Sequence, residues 1–251
     1  MDHFYSFRLR GKRTAWIIAL AFIVALIAWT QKDAVLSVFN GEEPVALSKG
    51  NADEPDIAIT FNISWGEERV KEILKQLENE DVQATFFISG EWAERHPDLL
   101  QAISDGEHEI GMLGYRYKSY LDQEIDQVRK DLLYAQEAFE KLGYENVNLL
   151  RTPHGHFNEE VIELAEDLGF HVVHWNVNPN DWENPGTDVI VDYIMKETDN
   201  GDIVLLHASD SAKQTAGALE TILPGLKNKG YEPVTISEII NQAKANTEIV
   251  D

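Results

Sequence analysis

Apolar and polar positions change in blocks along most of the chain, and the blocks predict strands and helices in turn. Short apolar runs typical of buried strands occur seven times, at 57–63, 84–89, 108–114, 147–152, 171–177, 202–208 and 232–236. Between these runs, apolar residues recur at helical spacing, as Val70, Ile73 and Leu77 do. Seven strands that alternate with helices predict a parallel sheet covered by helices.

Several residues mark where the predicted helices begin and end. Gly143, Gly169 and Gly230 each follow a helical run and precede a strand, as glycines just after a helix end do. Asn158 precedes two glutamates and is predicted to cap the next helix. The pattern leaves two architectures open, because the sheet can close into an α/β barrel with one strand fewer than eight or remain open and doubly wound.

The N-terminal part of the chain has a different pattern. Residues 14–30 form an apolar run of about 17 residues, close to the minimum that spans a bilayer, and basic residues at 8–13 precede it. We expect an uncleaved membrane anchor at 14–30, with a basic tail at 1–13 in the cytoplasm and the rest of the chain outside. A cleaved signal peptide is the alternative, although no small-x-small site follows closely. A buried globular helix is disfavoured by the adjoining cations.

The rest of the chain divides into three further predicted parts. Residues 31–55 contain glycine and proline with little periodicity and are predicted to form a linker. Residues 56–242 hold the strand and helix pattern and form the predicted domain, and 243–251 are a C-terminal tail.

Composition and charge exclude several functional classes. The chain has no cysteine, which rules out disulfides and thiolate metal sites. Its net charge is −23, and because residues 1–33 carry a net +3, the remainder carries −26. An acidic body of this kind repels phosphate backbones, so no nucleic-acid partner is expected. No glycine-rich nucleotide motif follows the first strand.

Polar and aromatic residues collect at the predicted carboxyl ends of the strands, where parallel α/β folds place their sites. His207 ends a buried run, and Asp181 lies one strand earlier in a position that could fix the tautomer of this histidine. Taken singly, His207 better fits a histidine that caps a strand, and Asp181 also fits a turn residue. Arg151 follows an apolar run and is predicted to be buried against a carboxylate or amide oxygen. These strand-end stretches are 62–65, 89, 113–117, 151–156, 178–182 and 207–210.

The ordered motifs resemble the polysaccharide deacetylase family, carbohydrate esterase family 4, with its NodB homology domain. They are ITFNISWGEER, ATFFIS, LLRTPHGHFN, NDWENPG and GDIVLLHASDSAKQTAGAL, within residues 56–240. They are similar to the spore-associated, PdaB-like branch in particular. The resemblance implies a distorted (β/α) barrel of seven strands. It also implies a divalent metal, often zinc, held by one Asp and two His, with a second Asp as general base and a His as general acid.

When the family's motifs are aligned with this chain position by position, some functional residues are replaced and others are kept. The base position is Asn62, and the three metal positions are Ile63, Leu113 and Tyr117. The arginine that supports the base is Arg151. The remaining expected positions are His207 and Asp181 on the acid side, and Trp182, Leu205, His154, Pro153 and Trp65 for substrate.

These substitutions remove the usual route to a nucleophile. Ile63 and Leu113 offer no lone pair, Tyr117 would have to lose its phenolic proton, and an amide at 62 is not a base near neutral pH. No metal cofactor is therefore expected. A displaced metal site at His154, His156 and His207 is an alternative, but no carboxylate supports it.

Three functions are compatible with the sequence. The first is an outward-facing, membrane-anchored protein of the spore envelope that binds cell-wall or spore peptidoglycan, with N-deacetylation lost or reduced. The second is an active peptidoglycan or chitooligosaccharide deacetylase with an atypical site. The third is a protein-interaction module on the same barrel.

Overall fold

A computed structural model describes the backbone of residues 45–248 and the side chains of residues 45–242. The basic tail predicted at 1–13 and the anchor predicted at 14–30 lie outside these residues. Residues from Val45 onward belong to one compact unit, so the folded unit begins inside the segment predicted as a linker. In the part of the chain that the structure describes, no helix has the length and apolar character needed to cross a membrane.

Seven parallel strands form one sheet, as the sequence predicts. The spatial order is β5-β4-β3-β2-β1-β6, and β7 pairs with β1. The strands are β1 Asp56–Ile63, β2 Thr85–Ile88, β3 Glu109–Met112, β4 Leu149–Leu150, β5 His171–Val172, β6 Ile203–His207 and β7 Glu232–Val234. Several are shorter than their apolar runs, because residues at the ends of those runs pair elsewhere or enter loops.

Helices connect successive strands and cover the outside of the sheet. They are α1 Glu68–Glu80, α2 Gly90–Arg95, α3 Pro97–Asp105, α4 Ile125–Lys141, α5 Glu159–Asp167, α6 Thr187–Glu197, α7 Thr215–Asn228 and α8 Ile236–Glu248. Asn158 caps α5 as predicted, accepting a hydrogen bond from the Val161 N–H. The last helix continues to Glu248, into the segment predicted as a tail.

The sheet curves into a half-barrel. An isolated parallel bridge between Val177 and Val204 joins the chain after β5 to β6, across the open side of the sheet. The start of the folded unit adds to the same region, since Leu47 pairs with Val173 and Lys49 with Asp202. These contacts explain why the apolar run at 171–177 forms only a two-residue strand.

Strand β1 pairs with three strands, β2, β6 and β7, and its two faces have different surroundings. Ile57, Ile59, Phe61 and Ile63 belong to the large apolar core that also contains the covering helices. Ala58 belongs to a second core cluster with Phe87, Leu113 and Leu149. Successive side chains of a strand point to opposite faces. Thr60 and Asn62 therefore share the inner face of the half-barrel with Ala58, and Ile63 faces the helices.

Candidate functional site at the carboxyl ends of the strands

A cavity of about 450 Å³ lies at the carboxyl ends of β1 and β6, the edge where the sequence places the site. Its lining is mostly amide, hydroxyl and aromatic. The lining residues are Asn62, Ser64, Trp65, Tyr117, His154, Trp175, Asn178, Asn180, Trp182, Leu205, His207, Ser209 and Ser211. No carboxylate or lysine is among them, so the cavity suits an uncharged polar ligand.

His207 and Asp181 are in contact, as the sequence predicts. The His207 Nδ1 lies 2.7 Å from Oδ1 of Asp181, which is fully buried. The other carboxylate oxygen accepts hydrogen bonds from the His207 backbone N–H at 2.8 Å and from the Thr215 hydroxyl at 2.6 Å. Because an ionised carboxylate only accepts, the proton between the two residues belongs to Nδ1. The histidine is thus held in one tautomer, with Nε2 as its other ring nitrogen.

Asn62 faces His207 across adjacent strands, since the two residues pair in the β1–β6 register. Its Oδ1 accepts a hydrogen bond from the Arg151 guanidinium at 3.1 Å. The same nitrogen of Arg151 donates to the Thr60 hydroxyl at 2.9 Å. Arg151 lies behind Asn62 and does not line the cavity, so its place is that of a positioning residue.

Arg151 is a fully buried cation whose hydrogen-bond acceptors are all neutral. Besides Asn62 and Thr60, it donates to the backbone carbonyls of Val173 and His174. Its guanidinium carbon lies 4.0 Å from the centroid of the Phe87 ring. Burial lowers the pKa of Arg151 well below its ordinary value, to about 9. It therefore remains charged at neutral pH, without a carboxylate among its partners.

The loop that carries Trp65 is fastened to the loop that follows His207. The Ser64 N–H donates to the Ser209 hydroxyl at 3.1 Å. The Asp210 carboxylate accepts from three successive backbone N–H groups at 67–69, at 2.9–3.2 Å, and so caps α1 from a distant part of the chain. Gly66 has φ +81°, and a Cβ there would lie within 2.6 Å of the Asp210 side chain. The residue at 66 must therefore be glycine for both loops to keep this arrangement.

Aromatic rings form much of the cavity wall. Trp65 and Trp182 are 54% and 50% exposed, which is unusual for tryptophan in the folded state. Tyr117 packs against His154 with ring centroids 4.2 Å apart. Trp175 stacks on His174 at 3.9 Å. The cavity is thus bordered by flat apolar faces with polar groups between them.

The residues at the expected metal positions do not form a donor set. Ile63 is buried in the helix-facing core and Leu113 in the inner cluster, and neither side chain has a lone pair. Tyr117 lines the cavity, but burial raises its pKa above 10, against the opposing effects of a hydrogen bond with the His154 backbone and the nearby charge of Arg151. A protonated phenol is a poor zinc ligand, so the family's divalent metal does not fit these three positions.

The alternative histidine set is also incomplete. His154 and His207 line the same cavity, but the His156 ring is hydrogen-bonded to the Ser119 hydroxyl at 3.0 Å and is not part of the lining. Burial, followed by the charge of His156, lowers the pKa of His154. Within residues 45–242 no three His, Asp or Glu side chains converge in a way that could hold a metal ion.

Most of the expected substrate positions reach the cavity. Trp65, Trp182, Leu205 and His154 line it, whereas Pro153 is buried in a short 3₁₀ turn and does not. Trp175 was not among the expected site residues, because it lies inside the apolar run predicted as the fifth strand. A large aromatic residue near the end of a predicted strand was the signal available for it.

The arrangement can position a sugar and supply a proton donor or acceptor at His207. The residue beside His207 on the neighbouring strand is an amide, which cannot serve as a general base near neutral pH. His207 is therefore the side chain of this strand pair that could transfer a proton.

Comparison with known proteins agrees with this geometry. The polysaccharide deacetylase family model matches residues 49–173. A peptidoglycan-N-acetylglucosamine deacetylase from Bacillus cereus is 36% identical over 191 residues, which is 75% of this chain and 89% of that protein. The uncharacterized protein YlxY from Bacillus subtilis is 29% identical over 202 residues, covering 80% of this chain. The chain spans 62% of the length of YlxY.

Solved structures show the same fold. A wild-type CE4 family pseudoenzyme from Bacillus anthracis aligns with a TM-score of 0.74 and 30% identity, covering 79% of this chain and 69% of that one. A mutant of the same pseudoenzyme has restored enzymatic activity, and it aligns with the same TM-score.

Proposed function

The chain belongs to the polysaccharide deacetylase family, and from this premise we propose that it binds cell-wall glycan, with metal-dependent N-deacetylation lost or reduced. One observation carries the proposal. The cavity keeps the His207–Asp181 pair, but the base position carries an amide, and the three metal positions carry two side chains without a lone pair and one protonated phenol. Relatives named as peptidoglycan deacetylases support peptidoglycan as the glycan.

The aromatic rim supports sugar binding. Trp65 and Trp182 leave about half of their side chains in contact with solvent beside an uncharged cavity. Exposed apolar area of this kind is typical of a binding surface. The C–H face of a sugar ring packs on an indole, and the amides and hydroxyls between the rings can bond its hydroxyl and acetamido groups.

The test is binding of the purified full-length protein to peptidoglycan. We expect Trp182→Ala to weaken binding about tenfold, or about 1.4 kcal/mol, which roughly 55 Å² of apolar contact between the indole and a sugar face supplies at about 25 cal/mol per Å². Tyr193→Ala is the matched control, because Tyr193 is 40% exposed on α6 and does not line the cavity. No binding by the wild-type protein, or equal binding by both variants, would contradict the proposal.

A second candidate is a deacetylase with an atypical site. The retained contact between His207 and Asp181 favours it, as a general acid serves no purpose in binding alone. Acetate release from N-acetylated peptidoglycan, measured with and without chelator and with elemental analysis of the protein, separates the two candidates. Stoichiometric zinc with chelator-sensitive turnover would replace the first proposal with this one.

We also propose that residues 14–30 anchor the protein in the cell membrane with the folded unit outside, in the envelope of the developing spore. The apolar run and the basic residues before it support the anchor, and resemblance to the spore-associated branch supports the compartment. Resistance of the protein to alkaline extraction from membranes is the expected result. Release of the protein by alkali would refute the anchor.

A further inference from the structure

A second concave surface lies outside the cavity, along one face of α4. It has a volume of about 720 Å³. We call it the α4 groove; its lining residues on the helix run from Gln127 to Lys141, and from the preceding loop it takes Arg116 and Lys118. From Gln127 to Lys141 the helix rises by about 21 Å, long enough for several units of an extended polymer.

The α4 groove gathers cations on a protein that is otherwise strongly acidic. Its lining holds four cations, Arg116, Lys118, Lys130 and Lys141, against three carboxylates, Glu94, Asp131 and Glu137, on a body with net charge −26 outside the first 33 residues. Lys141 pairs with Glu137 at 2.7 Å. Among residues 45–242, no carboxylate lies within 4.0 Å of the charged nitrogens of Arg116, Lys118 or Lys130. These three charges are thus available to an anionic ligand.

The loop that carries Arg116 is held in place before any ligand arrives. The Asp131 side chain, 9% exposed, accepts hydrogen bonds from the Tyr115 and Arg116 backbone N–H groups at 2.9 and 3.1 Å and from the Tyr120 hydroxyl at 3.0 Å. At Gly114, φ is +72°, and a Cβ would lie 2.4 Å from the Tyr120 hydroxyl. Binding in the groove would therefore not have to order this loop.

The same loop separates the groove from the cavity. Tyr117 lines the cavity, whereas its neighbours Arg116 and Lys118 line the groove. A ligand that crosses the loop can therefore occupy both. Tyr134 adds an exposed ring to the groove, in edge contact with Tyr115 at 6.2 Å between centroids.

We propose that the α4 groove binds the peptide stem of the peptidoglycan strand whose sugar occupies the cavity; this inference rests on the function proposed above. The stem carries several carboxylates, which match Arg116, Lys118 and Lys130, and peptide groups that pack on a tyrosine ring. Glu94 and Glu137 also line the groove. They would repel a uniformly negative phosphodiester polymer, whereas a stem with a free amino group can approach them.

The experiment is calorimetric titration of the full-length protein with two soluble fragments, a disaccharide with its tetrapeptide stem and the same disaccharide without it. We expect the stem-bearing fragment to bind about tenfold more tightly at low salt, with most of the difference lost at 0.5 M NaCl. Lys130→Ala should weaken the stem-bearing fragment about threefold to tenfold and leave the stem-free fragment unchanged. Arg129→Ala is the matched control, since Arg129 is an exposed cation next to Lys130 that does not line the groove.

Each outcome decides between the two proposals. Equal affinity for the two fragments, or equal effects of the two variants, refutes the stem site and leaves glycan binding intact. No binding of either fragment refutes glycan binding itself. Tighter binding of a soluble phosphodiester wall polymer, lost in Lys130→Ala, would reassign the groove to that polymer. Arg116→Ala gives an independent check, and thermal midpoints equal to wild type confirm that the variants are folded.

Discussion

Asn62→Asp would give the buried Arg151 the charged partner that it lacks. Burial lowers the pKa of Arg151 well below its ordinary value, to about 9, so burying this cation costs the folded state on the order of 5 kcal/mol at every pH below about 9. This cost is relieved only as pH rises above about 9, where the folded protein loses the cation. A carboxylate at the Asn62 position would lie about 3.1 Å from the guanidinium nitrogen, where the amide oxygen is now.

The size of the effect follows from two opposing quantities. At 3.1 Å and an effective dielectric constant of about 20, the attraction between the two charges is about 5 kcal/mol. Burying the carboxylate costs several kcal/mol, which offsets part of this gain. We therefore expect the free energy of unfolding to rise by about 2 kcal/mol at pH 7, corresponding to about 4–8 °C in the melting midpoint for a domain of this size.

Urea unfolding at several pH values tests this prediction. Arg151 would hold the pKa of the introduced carboxyl below that of the unfolded chain, so the gain should be present above about pH 4 and lost as pH falls further. Asn62→Ala is the matched control and should destabilise by about 1–3 kcal/mol, because it removes an acceptor from a buried charge. In an Arg151→Met background, Asn62→Asp should destabilise the fold. A gain that stays undiminished down to about pH 2, or that appears in that background, would refute the reasoning.

Asn62→Asp also tests the functional proposal. The substitution supplies a carboxylate at the base position but leaves Ile63, Leu113 and Tyr117 unchanged, and two of these have no lone pair. We expect no acetate release from N-acetylated glycan by this variant, even with added zinc. Zinc-dependent turnover would show that metal donors exist elsewhere in the protein.

Three further predictions concern stability and the acid side of the cavity. Burial lowers the pKa of His108 to about 4, so the unfolded chain takes up a proton at higher pH than the folded chain does. The free energy of unfolding should therefore fall, on the order of 2 kcal/mol after solvent screening, as pH drops from about 6.5 to 4. In urea unfolding at several pH values, His108→Gln should lack this decrease. Gly66→Ala should lower the free energy of unfolding by about 2–4 kcal/mol, because φ is +81° and the new Cβ would clash with the Asp210 side chain. An unchanged denaturation midpoint would contradict this prediction. Asp181→Asn places an amide N–H against the His207 and Thr215 groups that donate to the carboxylate, so the free energy of unfolding should fall by about 2–4 kcal/mol. NMR of the imidazole nitrogens should show that His207 no longer has a single tautomer.

The sequence alone determined the number and kind of the main elements. All seven apolar runs correspond to strands of one parallel sheet, and the helix at 68–80 follows the spacing of Val70, Ile73 and Leu77. These features depend on local patterns, because a residue's face on a strand or helix follows from its spacing to near neighbours. For the same reason, the burial of Arg151 and the collection of polar residues at one edge could be anticipated.

Tertiary structure decided what lies beside what at that edge. The distance from His207 to Asp181, the cap that Asp210 provides for α1, and the entry of Trp175 into the cavity depend on the curvature of the sheet and the register of distant strands. The α4 groove likewise exists only because the loop at 114–118 folds over the helix. Contacts between residues far apart in the chain are set by how whole elements pack, and no local spacing records that packing.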